Sequence, residues 1–213
     1  MEMIEESEED DLDEKQDKSQ RNIPWDLKTI RSEGKLGSGG QGTVFRAFDP
    51  KKERQIALKF TNLPFYWQQQ EEQYLREIQI QSYMTSVGVK NILEVDKQVY
   101  IYQDKYGQQQ IYLISLMELG VGSLDDLFKI CLNEKKILAE DDIFHIFFQI
   151  LESLDGLHKQ HYAHKDIKPQ NIIYSIKDKR WKLADFGCVE KFDPENQFQM
   201  HSVTGTPSYM SPE

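Results

Sequence analysis

The hydrophobic pattern changes period part-way along the chain, and that change limits the fold more than any other feature. From 27 to 63, short alternating stretches ("LKTIRSEGKL", "TVFRAF", "QIALKFTNL") are parted by polar turns such as "DPKKERQ". That pattern predicts an antiparallel meander. A helical stretch follows, "QQQEEQYLREIQIQSYM", with Tyr74, Ile78, Ile80 and Met84 on its apolar face. Two more strands are predicted near 92–102 and 110–117. After "ELGVGS" the period becomes helical, over 124–132 and 141–161. The second of these helices carries Ile143, Phe147, Ile150, Leu151, Leu154 and Leu157 on one side, with Glu140 or Asp141 to cap its start. Two short strands, "NIIY" and "WKLA", come last. A β-rich half, a glycine-containing hinge at 118–122 and a helical half predict an α+β chain of two lobes with a cleft.

Charge is unevenly spread. Residues 1–20 hold ten acids against Lys15 and Lys18, a net of −8 out of the chain's −10, which leaves only −2 for the rest. A stretch so charged cannot bury enough apolar surface to offset its ordering entropy, so 1–22 is expected to be a disordered acidic tail. The two cysteines, Cys131 and Cys188, lie far apart without metal-ligand spacing, which fits a reducing compartment, cytoplasmic or nuclear. No run approaches the length of a membrane span, and nothing in the composition points to nucleic acid.

Four short stretches carry chemistry. "LGSGGQGTV" holds Gly37, Gly39 and Gly42 in the turn of a predicted hairpin. Alone it is either a flexible turn or a flap whose backbone N–H groups approach phosphate oxygens. Lys59 ends "IALK", with the small Ala57 two residues earlier on the same face. Glu77 lies among apolar neighbours in the following helix, where a carboxylate needs a partner. "HYAHKDIKPQNIIY" gathers His164, Asp166, Lys168 and Asn171 in one loop, and "LADFGC" places Asp185 just after a strand. A carboxylate and an amide oxygen suit Mg²⁺. Each stretch also has an ordinary reading as a turn, a strand end or a solvated surface.

In this order and spacing the stretches resemble the eukaryotic protein kinase family, serine/threonine type, over about 28–213. The matching motifs are Gly37 to Val44, "IALK", "HKDIKPQN", "DFG" at 185–187 and "SPE" at 211–213. The resemblance implies a kinase domain over 23–213, with an N-lobe at about 23–118 and a helical C-lobe at about 119–213. It implies transfer of the ATP γ-phosphate to a protein serine or threonine. The glycine loop would cover the phosphates, Lys59 held by Glu77 would contact them, and Val44 and Ala57 would sandwich adenine. Met117 would guard the pocket, with Glu118 to Gly120 as the hinge at the adenine edge. Asp185 and Asn171 would hold Mg²⁺, Asp166 would orient the substrate hydroxyl and accept its proton, and Lys168 would sit near the transferred group. Ser202 and Thr204 are candidate phosphosites for an upstream kinase.

The chain also departs from the family pattern. Lys165 replaces an arginine that binds a loop phosphate, so activation is expected to depend less on loop phosphorylation. Gln81 falls where the family stacks an apolar side chain on Phe186. The chain ends at "SPE", so the C-lobe is expected to be incomplete, with apolar helix faces open to water. The 213-residue chain is then expected to be aggregation-prone and to transfer little phosphate. The competing class is a truncated or pseudokinase-like ATP-binding or scaffold module without turnover.

Overall fold

Alternation in the first third produces a five-stranded sheet. The computed structural model describes residues 29–39, 42–64, 71–105, 108–195 and 204–211; the acidic stretch 1–22 lies outside them. Strands β1 (Arg31–Gly39), β2 (Gly42–Asp49), β3 (Arg54–Leu63), β4 (Val95–Lys105) and β5 (Gln108–Glu118) lie in the order β1-β2-β3-β5-β4. The β1–β2 and β2–β3 pairs are antiparallel, as the turn spacing predicts. Gly42 has φ +128, and a Cβ there would fall 2.1 Å from the Phe60 carbonyl oxygen on β3. Only glycine fits that approach.

One face of the sheet is a core of Ala47, Ile56, Leu58, Ile114 and Leu116, with Phe60 and Tyr112 against it. Phe60 meets Phe45 and Tyr112 edge-to-face at 5.3 and 6.5 Å. Ala57 is buried on the opposite face of β3.

The described residues fall in two compact units, one drawn from Met1–Trp67 and Lys97–Leu116, the other from Gln68–Asp96 and Met117–Glu213. The sequence boundary near 118 assigns the first helix, α1 (Glu71–Ser86), to the N-lobe. By its contacts α1 groups with the second unit. Ile80 and Met84 of α1 share a core with Ile92, Leu157, Leu183, Phe186 and Val189.

The second unit also holds β6 (Gly120–Ser123), α2 (Leu124–Asn133), α3 (Glu140–Lys159), β7 (Tyr162–Ala163), β8 (Ile172–Ser175), β9 (Arg180–Leu183) and β10 (Glu190–Lys191). Its sheets run β6-β8-β9 and β10-β7. Ser123 caps α2 in a capping box: its Oγ accepts from the Asp126 N–H, and Asp126 Oδ2 accepts from the Ser123 N–H. Such a cap contributes about 1 kcal/mol. α3 starts differently from expectation. Its N-cap is Ala139, without a side-chain cap, and Glu140, Asp141 and Asp142 lie in the first turn, where acids complement the helix dipole.

The buried face of α3 is Ile146, Gln149, Ile150, Ser153 and Leu157. Of the residues that the sequence groups on one side, Ile143, Phe147 and Leu151 face solvent together with Phe144 and Phe148, an apolar helix face open to water. Phe147 and Phe148 are 57% and 61% exposed, which makes a continuous apolar surface. Among the described residues, no helix is long and apolar enough to cross a membrane.

Candidate active site

The chain after β7 makes a loop, then a 3-10 turn over Pro169–Asn171, and enters β8 directly. This short path brings Asp166, Lys168 and Asn171 together. Lys168 Nζ lies 2.7 Å from Asp166 Oδ2, and Asn171 Nδ2 donates to the same oxygen at 3.0 Å and to the Asp166 carbonyl at 2.8 Å. The other carboxylate oxygen, Oδ1, accepts from Thr206 twice, from its N–H at 2.9 Å and its hydroxyl at 2.6 Å. Lys168 Nζ also donates to that hydroxyl at 2.8 Å. Burial pushes the Asp166 carboxyl up, but the bonds from Lys168, Thr206 and Asn171 outweigh it and hold the group below its ordinary 3.8. Asp166 is therefore a carboxylate at neutral pH.

His164 joins this loop to the segment carrying Asp185. Its ring is buried, with Nε2 3.1 Å from the Ala184 carbonyl oxygen and the plane edge-on to Phe186 at 5.2 Å. Burial lowers its pKa, so the ring is neutral and donates through Nε2. A backbone ladder fixes the same segment. Leu93 N–H donates to the Leu183 carbonyl at 2.9 Å, Leu183 N–H to Asn91 at 2.8 Å, and Ala184 N–H to Asn171 at 2.9 Å. Gln81 ties α1 into this ladder, its Nε2 donating to the Leu93 carbonyl at 2.6 Å. A buried hydrogen bond stands where the resemblance implies an apolar stack, while Ile80 and Met84 supply the apolar contact around Phe186.

Asp185 has φ +63, a left-handed conformation that costs roughly 1–2 kcal/mol outside glycine. Its Oδ1 is buried and has no hydrogen-bond partner. A buried carboxylate oxygen left without a donor is a place for a cation. Asn171 commits its NH₂ to Asp166, which leaves its amide oxygen as the second ligand atom. A carboxylate and an amide oxygen form a hard donor set, so these two residues fit Mg²⁺.

The profile of the family described as "Protein kinase domain" matches residues 30–213. The chain belongs to the protein kinase family. Relatives of this kinase domain include a serine/threonine-protein kinase, pak-1 of Caenorhabditis elegans, 31% identical over 87% of this chain and 29% of the relative. The serine/threonine-protein kinase ULK3 of Homo sapiens is 31% identical over 84% of this chain and 35% of its own. The kinase domain thus spans about a third of the length of the relatives it matches.

The other predicted residues of the kinase domain are distributed as follows. Gly37, Gly39, Gly42, Val44, Ala57 and Lys59 lie on β1–β3 of the first unit, with Gly37 and Lys59 each in register with Val44. Glu77 lies on α1 in the second unit. Of the hinge residues, Met117 and Glu118 end β5 and Gly120 opens β6, all in the second unit. Gly120 has a packing reason to lack a side chain, since a Cβ would lie 2.0 Å from Ile173 Cγ2. The Glu118 carboxylate is buried in an ion network. It accepts from Lys182 Nζ at 2.8 and 3.0 Å, from the Glu94 N–H at 3.2 Å and from the Ser175 hydroxyl. Lys182 also pairs with Asp178, and its pKa is raised because the bonds to Asp178 and Glu118 outweigh burial. Thr204 is exposed, and Ser202 lies outside the described residues.

Sequence reasoning missed Lys182 and Glu190 as partners of Glu118 and Lys165. The burial of both Lys182 and Leu183 breaks the alternation expected of "WKLA", and no local signal marks it.

Proposed function

We propose that this kinase domain transfers the γ-phosphate of ATP to a serine or threonine hydroxyl of a protein. One observation carries the reading: the Thr206 hydroxyl donates to Asp166 Oδ1 while accepting from Lys168 Nζ. That is the hydrogen bonding a substrate hydroxyl needs. The carboxylate orients the oxygen and receives its proton, and the ammonium stands ready for charge on the transferred group. A bond forms between the substrate oxygen and the γ-phosphorus, the bond from that phosphorus to the β,γ-bridging oxygen breaks, and ADP leaves. When bound, Mg²⁺ would be held by Asp185 and Asn171 and would neutralise phosphate charge. Gly37, Gly39, Gly42, Val44, Ala57, Lys59, Met117, Glu118 and Gly120 are the residues proposed to meet the nucleotide, with Glu77 assigned to Lys59.

A second reading, nucleotide binding without turnover, is favoured by the same cluster. Thr206 and its neighbours already occupy both Asp166 oxygens. A Mg²⁺-ATP thermal shift beside a phosphate-transfer assay separates the two: shift with transfer supports the enzyme, and shift without transfer supports the binding module. Free Cys131 and Cys188 are in keeping with a cytoplasmic or nuclear setting.

A further inference from the structure

Lys165 immediately precedes Asp166, and three parts of the second unit converge on it. Its backbone sits at φ +68, a left-handed conformation that is costly for a residue with a Cβ. Its ammonium pairs with Glu190 Oε2, the two side chains only 10% and 12% exposed. Glu190 lies on β10 opposite Ala163 on β7, so ladder and ion pair grip the same segment. From the other side Gly205, at φ +124, presses on the Lys165 carbonyl: a Cβ there would fall 2.3 Å from that oxygen. The next residue, Thr206, gives both its donors to Asp166. The left-handed turn at Lys165 therefore sets where Asp166 meets Thr206, and Glu190 holds that turn.

The resemblance places at this position an arginine that binds a loop phosphate, and the lysine here is expected to lessen that dependence. The structure puts a carboxylate of the chain's own against it. We propose that Glu190 is a positioning residue for phosphate transfer, supplying Lys165 with an anion from within the fold and so keeping Asp166 in register with Thr206 without a phosphate at 202–204. The proposal rests on the kinase reading for its consequence, while its geometry does not. Removing one partner of a buried pair leaves the other charge uncompensated, so the damage should centre on this turn.

Amide hydrogen exchange on the 213-residue chain tests it, beside Mg²⁺-ATP-dependent phosphorylation of casein. In Glu190→Gln, exchange at the Thr206 amide should accelerate at least about tenfold, with the amides of β8 and β9 unchanged. The kcat should fall about tenfold with the KM for ATP within roughly twofold of the parent. Glu190→Asp should restore most of both, and Ser202→Ala/Thr204→Ala should match the parent. An unchanged Thr206 amide in Glu190→Gln would overturn the proposal. So would uniform acceleration at every amide, which marks a fold-stability role only, or lost Thr206 protection in the double alanine variant. Exchange needs no catalysis, so a parent without transfer counts against the kinase reading while the Thr206 amide still decides this one.

Discussion

Two lysine–carboxylate clusters lie in the second unit, and their difference separates scaffold from site. Lys182 and Glu118 are both 5% exposed, and their polar atoms are met by Asp178, Ser175 and the Glu94 backbone. That network is closed. Lys168 and Asp166 are 20% and 6% exposed, and a hydroxyl is inserted between them. The same charges therefore serve two ends. In the first cluster the carboxylate oxygens tie the end of β5 to β8, β9 and the Glu94 backbone. In the second, one oxygen is given to a group that a substrate hydroxyl can imitate.

The largest effect should come from the open cluster. Asp166→Asn keeps the shape but removes the proton acceptor, and should lower kcat about 10²–10⁴-fold. The closed cluster should respond in the opposite sense. Lys182→Met leaves Glu118 buried without its cation and should cost about 3–5 kcal/mol in urea unfolding. Glu118→Gln/Lys182→Met should recover much of that, and a cost near zero for the single variant would erase the distinction between the clusters.

A smaller effect concerns pH. Because the folded Asp166 carboxyl lies below its ordinary 3.8, its contribution to stability is present above that value. It is lost as pH falls through the lower folded value. Denaturation curves should show the parent's advantage over Asp166→Asn shrinking only below the ordinary carboxylate range. The smallest effect lies outside both clusters. Phe147→Ser/Phe148→Ser should move stability by no more than about 0.5 kcal/mol, since both rings face solvent. Light scattering should nonetheless show less self-association.

What the sequence made legible follows from range. Asp166, Lys168 and Asn171 sit in one loop, so their proximity is local. The glycine turn and the meander follow from alternation. Thr206 and Glu190 reach the loop from 40 and 25 residues away, and no short-range pattern announces them. The faces of α3 were only partly legible for another reason. Its apolar residues Ile143, Phe144, Ile146, Phe147 and Phe148 spread over more than one face, so periodicity could not choose which packs inward. Gln149 and Ser153 decided it, because their polar atoms find partners inside: Gln149 accepts from the Trp181 N–H at 2.7 Å, and Ser153 donates to the Asn91 carbonyl at 3.0 Å. A hydrophobic count scores both residues as solvent-facing. The packing of α1 was illegible in the same way, since the partners of Ile80 and Met84, Leu157 and Leu183 among them, lie far along the chain.

The most direct measurement is phosphate transfer from Mg²⁺-ATP into protein serine and threonine by the purified chain, run beside Asp166→Asn and normalised to folded protein. The account predicts transfer that needs both Mg²⁺ and ATP and falls at least about a hundredfold in the variant. Mg²⁺-ATP binding with no transfer by the parent, or transfer undiminished in Asp166→Asn, would contradict it.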